Sequence, residues 1–567
     1  MASRPWIPHY DPGVPATLSP YPGGTLLDCV AEHVRERPDA PALLFKGRTL
    51  TWRELDAASG AFACALHRLG LRRDDRLGLL LPNCPQFVIA QLAAWKLGAI
   101  AVPLNPIYTE HELIGPLKTT GTRIVIALTK FYRTLKAAQP AAGVDLTIAT
   151  NIKEYLPRHL ALLFTLFKEK KEGHRVALAA GDHWFQDLLR AHAGERPAHV
   201  PLTAEDRAVV LASGGTTGSP KGVVGQHKAY VYTGVQLYAW TRPTFEPQKD
   251  SILVPLPLCH VYANVGGLGL GFVTGSPLAL VPNPRDLPDV LRTIVKTRPA
   301  FMLSVPTLFQ AMLNNPDVRA GRIDFSSIKI SFSGAMALMA ATKERFEALT
   351  GGRIIEGYSL TEGMMACLVN PLQGQAKIGS IGMPLPDVEA MIVDVDTGRR
   401  ELDPGEPGEL LLHGPQMMTG YWGEEEEARQ SLRRRPDGKA WLHTGDIGFM
   451  DRDGYVFLTD RKKDLIKTSG YQVWPREVEE VLAAHRAVAE VGVAGVPDPV
   501  KGESVKAWVV LRSGQQATED ELRRHCREKL APYKVPSTVE FRATLPKTLV
   551  GKVLRRELVA DHVAAAG

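Results

Sequence analysis

Short apolar stretches alternate with segments of helical periodicity from Leu26 to Leu128, and this alternation limits the folds open to the chain. The spacing predicts helices over 26–37, 52–69 and 85–97, and buried strands over 76–81, 99–104 and 123–128. Strands that alternate with helices form a parallel sheet covered by helices. The alternation returns between 251 and 333, which predicts a second α/β unit.

The remainder of the chain has a different pattern. From 379 to 460 it is rich in turn residues and short strands, which predicts a β-rich lobe. Beyond 461, helices over 475–484 and 519–530 flank strands near 491–496 and 505–511. We therefore expect an α/β protein with a large N-terminal domain, 1–460, made of two α/β subdomains and the lobe, and a smaller α+β C-terminal domain, 461–567.

Composition excludes several classes of protein. Lys and Arg exceed Asp and Glu by 67 to 61, an excess too small and too dispersed to indicate nucleic-acid binding. The six cysteines form no CxxC pair, and the N-terminus lacks the apolar core of a signal peptide. No apolar run reaches the roughly 18 residues that span a bilayer. We expect a cytoplasmic protein, with peripheral membrane contact open.

The segment 152–176 leaves two interpretations open. An apolar run, Leu160 to Phe167, is followed at once by Lys168, Lys170, Lys171, His174 and Arg175. A basic amphipathic helix that lies on an anionic membrane is one interpretation. A helix packed on its domain, with a solvated charged end, is the other.

A glycine-rich stretch, LASGGTTGSPKGV, follows a buried strand predicted over 208–211. Its glycines let backbone N–H groups turn toward an anion, and its hydroxyls and Lys221 add donors and charge suited to a polyphosphate. A P-loop would need Gly-Lys followed by a hydroxyl, whereas Lys221 precedes Gly222. A solvated surface loop is the alternative.

GGLGLG at 266–271 lacks the GxGxxG spacing, so we expect its small residues to allow close helix packing or to leave room for a ligand.

Six polar motifs occur in one order: SGGTTGSPKG, PLPLCH, EGYSLTE, WLHTGD, DRKKDLIKTSG and LPKTLVGKVLRR. Together they resemble the adenylate-forming superfamily of acyl-CoA synthetases, carrier-protein adenylation domains and luciferases, and most of all the bacterial long-chain fatty acid CoA ligases. The resemblance implies an AMP-forming ligase. A fatty acid carboxylate attacks the α-phosphate of ATP to give acyl-adenylate and pyrophosphate, and the thiol of CoA then displaces AMP.

The resemblance also implies where the nucleotide and Mg²⁺ bind. Glu362 would hold Mg²⁺, Tyr358 would stack on adenine, and Asp446 and Arg461 would bind ribose. Thr361 and His260 would act beside the α-phosphate and carboxylate. The other nucleotide-binding positions implied are Ser213, Gly215, Thr216, Thr217, Gly218, Lys221, Gly334, Ala335, Glu356, Gly357 and Ser359. Without the other motifs, Tyr358 would be a core tyrosine and Glu362 a surface acid.

Lys552 is implied as the catalytic lysine that bridges the carboxylate and the α-phosphate. An ammonium there would offset the developing negative charge, although Lys547, Arg555 and Arg556 make a solvated basic tail the alternative. Because Lys552 lies near the end of the chain, it reaches the site only if the C-terminal domain docks on the N-terminal domain. The resemblance implies that this domain rotates between the two steps, with Lys463 at the hinge. The CoA and acyl pocket candidates are Val261, Gly266, Gly267, Lys467 and Gly470.

The substrate is less constrained than the reaction. Cys259, Met336–Ala337 and Gly363 depart from the usual motif, which leaves the acyl pocket in doubt. A ligase for aromatic or other acids, an enzyme that loads acyl groups onto a carrier protein, and a catalytically silent binding paralogue all stay open, as does a homodimer.

Overall fold

A computed structural model describes residues 4–213, 221–468, 471–548 and 553–566, and of residues 461, 463, 472, 565 and 566 the backbone only. The strands are β1 Pro41–Phe45, β2 Arg48–Thr51, β3 Arg76–Leu80, β4 Ile100–Pro103, β5 Ile124–Leu128, β6 Leu146–Thr150, β7 His183–Trp184, β8 Arg207–Ala212, β9 Gly222–Gln226, β10 Ile252–Val254, β11 Leu278–Leu280, β12 Phe301–Ser304, β13 Ile330–Ser333, β14 Arg353–Leu360, β15 Met365–Val369, β16 Met383–Pro384, β17 Glu389–Val393, β18 Gly408–His413, β19 Gly420–Tyr421, β20 Leu432–Arg434, β21 Ala440–Met450, β22 Val456–Arg461, β23 Ile466–Thr468, β24 Tyr471–Val473, β25 Val488–Asp498, β26 Gly502–Leu511 and β27 Thr538–Phe541.

Helices cover the sheets and connect their strands. They are α1 Leu26–Glu36, α2 Trp52–Arg68, α3 Pro85–Lys96, α4 Glu110–Thr120, α5 Tyr132–Ala142, α6 Arg158–Phe167, α7 Phe185–Ala191, α8 His227–Thr241, α9 Leu268–Thr274, α10 Leu287–Thr297, α11 Pro306–Asn314, α12 Pro316–Arg319, α13 Ala340–Thr350, α14 Glu425–Ser431, α15 Pro475–Ala483, α16 Glu519–Arg527 and α17 Arg555–Ala566. Among the described residues, none of these helices combines the length and the apolarity needed to cross a membrane.

Two large sheets form the body of the protein. One has the order β19-β9-β8-β4-β3-β5-β6-β7 and the other β16-β15-β14-β13-β12-β10-β11-β1-β2. Their central strands are parallel, and antiparallel pairs such as β8 with β9 and β14 with β15 lie toward one end of each sheet. In open α/β sheets, ligands bind beyond the carboxyl ends of the parallel strands. Three of the six motifs, SGGTTGSPKG, PLPLCH and EGYSLTE, follow or end strands of these two sheets.

Two smaller sheets follow. The β-rich lobe is an antiparallel sheet in the order β17-β18-β21-β20, with β22 also paired to β21. The C-terminal sheet has the order β24-β23-β26-β25, with β27 parallel to β26. The chain therefore passes from the lobe sheet to the C-terminal sheet between Arg461 and Ile466. These sheets confirm the predicted α/β fold class, with a large N-terminal part and a small C-terminal part.

The glycines of 266–271 serve close packing in this structure. A Cβ on Gly269 would lie 2.6 Å from the Tyr230 carbonyl oxygen of α8, and one on Gly234 would lie 2.4 Å from the Gly269 carbonyl oxygen. Because both distances are below any real Cβ contact, only glycine lets α8 and α9 approach this closely. This is one of the two outcomes that the sequence predicted for these residues.

The segment 152–176 is not one continuous helix. A 3₁₀ turn, Ile152–Tyr155, precedes α6, and the chain leaves the helix at Lys168. His174 folds back to contact Thr129 through a 2.9 Å hydrogen bond and packs edge-on against Phe164. The lysines therefore follow the helix instead of forming its polar face. One face of α6 packs on the domain through Phe164, and this leaves both interpretations of the segment open.

Candidate active site

The base of the glycine-rich loop is a hairpin formed by β8 and β9. The Ser213 backbone N–H donates to the Lys221 carbonyl at 2.8 Å, and the Lys221 N–H donates to the Ser213 hydroxyl at 3.3 Å. These bonds hold the two ends of the loop together. The predicted phosphate-binding residues between them, Gly215, Thr216, Thr217 and Gly218, lie outside the described residues.

Lys221 and Glu362 are connected through Tyr421, a residue that the sequence did not indicate. The two-residue strand β19 pairs with β9, which places Tyr421 opposite Val223. The Lys221 ammonium lies 5.2 Å from the centre of the Tyr421 ring and forms an ion pair with Glu427 on α14. The Tyr421 hydroxyl donates to Glu362 Oε1 at 3.1 Å. Burial and the nearby carboxylate of Glu362 raise the pKa of Tyr421, so this phenol stays a donor.

The turn that carries Thr361 and Glu362 follows β14 directly. Thr361 is buried, Glu362 is half-buried, and the Met418 backbone N–H donates to the Glu362 carbonyl at 3.0 Å. Within the described residues, no group of three or more His, Cys, Asp or Glu side chains could hold a metal ion by itself. A half-buried carboxylate still suits Mg²⁺, because nucleotide enzymes bind this ion through one or two carboxylates together with phosphate oxygens and water.

Tyr358 and Asp446, the predicted adenine and ribose residues, contact each other. The Tyr358 hydroxyl donates to Asp446 Oδ2 at 2.5 Å, and both residues are buried. Asp446 also lies opposite Arg461 in the register of β21 and β22. Tyr358 lies 88 positions before Asp446 and 103 before Arg461, so the fold brings separate motifs together. The side chain of Arg461 lies outside the described part of the structure.

The remaining nucleotide-binding candidates lie at the carboxyl ends of β13 and β14. Ser333 pairs with Glu356, so Gly334 and Ala335 emerge beside Gly357 and Ser359. Ala335 has φ of +68°, and the Glu356 carboxylate accepts from the Leu338 N–H at 3.4 Å. Burial raises the pKa of Glu356. A Cβ on Gly357 would lie 2.5 Å from the Phe332 ring, which accounts for the glycine.

His260 lies in a turn, beyond the end of the preceding strand. β10 stops at Val254, and His260 lies six residues later in the turn that leads to a π-helical segment, Tyr262–Gly267. Asn83 holds the start of this turn, since its amide donates to the carbonyls of 254 and 256 and accepts from the N–H of Leu258 at 2.7 Å. Burial lowers the pKa of His260 to about 4, so the imidazole is neutral near pH 7.

The acyl and CoA candidates are not all brought together. Val261, Gly266 and Gly267 are buried in one segment, and the Met365 side chain lies within 2.7 Å of where a Gly266 Cβ would be. Lys467 lies on β23, where its N–H donates to Glu503 at 2.7 Å within the C-terminal sheet. Gly470 lies outside the described residues.

The catalytic lysine candidate, Lys552, also lies outside the described residues, as does the side chain of Lys463. The chain on either side of them is held by a cluster of charges. Arg555 donates to Asp464 at 2.5 Å and to Glu479 at 2.8 Å, and lies 3.6 Å from Asp460. Although burial alone would lower it, these carboxylates raise the pKa of Arg555. The sequence did not indicate this role for Arg555, since there it is one of several basic residues near the end of the chain.

Two family models match this chain. The family model described as AMP-binding enzyme matches residues 30–422. The chain belongs to the AMP-binding enzymes. The C-terminal domain model of the same enzymes matches residues 477–552, and the resemblance drawn from the six motifs is confirmed.

Relatives of this AMP-binding enzyme extend along its whole length. It is 37% identical over 563 residues to the long-chain-fatty-acid–CoA ligase of Bacillus subtilis strain 168, which covers 99% of each chain. It is 37% identical over 558 residues to the long-chain-fatty-acid–CoA ligase of Escherichia coli O157:H7, which covers 98% of this chain and 97% of the relative. Among solved structures, the anthranilate CoA ligase AuaEII in complex with anthranoyl-AMP matches with a TM-score of 0.81 and 29% identity, over 97% of this chain and 99% of that one.

Proposed function

We propose that the protein activates a long-chain fatty acid with ATP to an acyl-adenylate and then transfers the acyl group to CoA, releasing pyrophosphate and AMP. The observation that carries this proposal is the contact between Tyr358 and Asp446 at one end of the site and the connection of Lys221 to Glu362 at the other. This arrangement suits a nucleotide whose base and ribose lie at one end and whose phosphates lie at the other.

Each side chain in this proposal has a defined task. Tyr358 packs against adenine while Asp446 accepts from ribose hydroxyls, together with Arg461. Lys221 and the loop before it bind the outer phosphates with cationic and N–H donors. Neutral His260 and Thr361 would hydrogen-bond the carboxylate and the α-phosphate. Glu362 would hold Mg²⁺, which neutralises phosphate charge when bound.

The second half of the proposal concerns the C-terminal domain, residues 461–567. Lys552 would approach the α-phosphate in the first step and leave in the second, with rotation about Lys463 admitting CoA. Support comes from the change of sheet between Arg461 and Ile466. The cytoplasm is the proposed location, because all six cysteines remain thiols in the structure.

Full-length relatives named for long-chain fatty acids support the acyl substrate. A ligase for aromatic acids is the second candidate, favoured by the structural match to an anthranilate CoA ligase. Purified protein should be incubated with ATP, Mg²⁺ and CoA, and with palmitate, octanoate or anthranilate. Thioester formed fastest from palmitate would support the proposal, thioester only from anthranilate would support the second candidate, and adenylate without thioester would indicate a carrier-protein substrate.

A further inference from the structure

Helix α6, Arg158–Phe167, presents an apolar face to solvent. Leu162, Leu163, Leu166 and Phe167 are 61%, 49%, 66% and 70% exposed. At about 100° per residue these four side chains form one continuous stripe along the helix. Scattered apolar residues are normal on a surface, but four large ones on adjacent turns mark an interaction site.

The opposite face of α6 is already used. Phe164 is buried, and Leu160 and Ala161 pack against the main core. A helix that is apolar on all sides normally lies inside a protein or a membrane. In this structure, one face of α6 lies on the domain and the other faces outward, so the exposed stripe has no protein neighbour within the described residues.

Positive charge borders the stripe. Lys168, Lys170, Lys171 and Arg175 are exposed directly after the helix, against one exposed acid, Glu172, at 3.5 Å from Lys168. The other acid of this segment, Glu169, is directed inward, where Lys153 and Asn151 donate to it at 2.6 and 2.9 Å.

The loop that carries these cations is held in place. Its last turn is anchored by His174, which contacts Thr129 and Phe164. The cations therefore stay at one end of the apolar stripe. An apolar surface bordered by basic residues is the arrangement of a membrane-surface anchor.

We propose that α6 and residues 168–175 dock on the surface of an anionic lipid bilayer, with the apolar stripe among the acyl chains and the cations among the headgroups. A second copy of the chain fits less well, since a twofold contact through this stripe brings the two sets of cations together. None of these residues is among those proposed for catalysis or nucleotide binding. Docking would place the enzyme where long-chain acids partition, although lipid binding does not depend on the proposed reaction.

Sedimentation with vesicles tests this inference. The full-length protein should bind phosphatidylglycerol vesicles and bind phosphatidylcholine vesicles much more weakly. Leu166→Gln combined with Phe167→Gln should weaken binding to phosphatidylglycerol at least tenfold. Lys168→Gln, Lys170→Gln and Lys171→Gln together should weaken it roughly a hundredfold, since each cation contributes about fivefold near an anionic surface. Ile378→Gln, at a site that is 82% exposed, is the matched control and should leave binding unchanged.

Two measurements separate docking from other effects. Thioester formation from octanoate without vesicles should be the same in all variants, which shows that each has folded. Sedimentation equilibrium should give the same mass for wild type and for the Leu166/Phe167 variant. The inference is overturned if wild type ignores phosphatidylglycerol, if the apolar variant binds as well as wild type, or if that variant only changes the oligomeric state.

Discussion

Replacing Asp460 with alanine removes contacts that cross the proposed hinge at Lys463. Asp460 ends the lobe side of that hinge, where its side chain is only 1% exposed. It accepts from the Arg476 backbone N–H at 2.7 Å and lies 3.6 Å from the Arg555 guanidinium. Arg476 and Arg555 lie on the other side of that hinge, in the proposed C-terminal domain, so these contacts would hold its two sides in the described arrangement.

The loss can be estimated from these contacts. A hydrogen bond to a charged acceptor contributes about 1.5–3 kcal/mol. Arg555 keeps Asp464 and Glu479 as partners in the variant, so we assign little to the longer ion pair. Asp460→Ala should therefore weaken the described arrangement by about 2 kcal/mol, which is roughly a thirtyfold shift in the equilibrium toward rotated or undocked arrangements.

Limited trypsin digestion measures this shift. Cleavage after Lys462 or Lys463 follows the population of open molecules when opening is fast relative to cleavage. We expect cleavage there to be about thirty times faster in Asp460→Ala than in wild type. Asp561→Ala is the matched control, because it removes an exposed 2.7 Å ion pair with Arg542 in the same domain and should change hinge cleavage little. Equal hinge cleavage in Asp460→Ala and wild type would show that the contacts of Asp460 do not hold the two sides of the hinge together.

Three further perturbations test other parts of the site. Tyr421→Phe removes the donor to Glu362 and should lower the apparent Mg²⁺ affinity in pyrophosphate release about tenfold, as loss of a partner to a metal ligand does; an unchanged Mg²⁺ dependence would count against a metal at Glu362. Asn83→Ala removes three buried hydrogen bonds and should lower the free energy of unfolding by about 3 kcal/mol in urea titrations. Burial lowers the pKa of His227 to about 4 from its usual 6.5, so as the pH falls the unfolded chain binds a proton before the folded chain does. The free energy of unfolding should therefore fall by about 3 kcal/mol between pH 6.5 and pH 4. In His227→Gln the free energy of unfolding from urea titrations should depend less on pH over that range, and the same pH dependence as in wild type would contradict the assignment.

Most elements could be predicted because their residues are buried in a regular pattern. The predicted strand over 123–128 is β5, Ile124–Leu128, all of whose residues are buried, and the predicted helix over 85–97 is α3, Pro85–Lys96. Central strands of a parallel sheet are covered on both faces, so they are continuous apolar runs in the sequence. The predicted helix over 475–484 is α15, Pro475–Ala483, and its first residue is a proline, which suits the first turn of a helix.

The parts of the site that the sequence did not reveal depend on distant pairings. β19 has two residues, too short for a periodic signal, yet its pairing with β9 is what brings Tyr421 to Glu362 and Lys221. Asn83 is 175 positions from Leu258 in the sequence, so only the fold shows that Asn83 holds the turn before His260. The sequence also did not reveal which face of α6 is exposed, because an apolar run does not tell which of its side chains are covered.

In the proposed reaction, Lys552 acts in adenylate formation and is not needed when CoA attacks. Lys552→Ala and wild type should be compared in two assays: pyrophosphate release from ATP and palmitate, and palmitoyl-CoA formation from supplied palmitoyl-adenylate. We expect the variant to lose pyrophosphate release by a hundredfold or more, about 2.7 kcal/mol in the barrier, while its thioester formation stays within a few fold of wild type. Equal losses in both assays would contradict the claim.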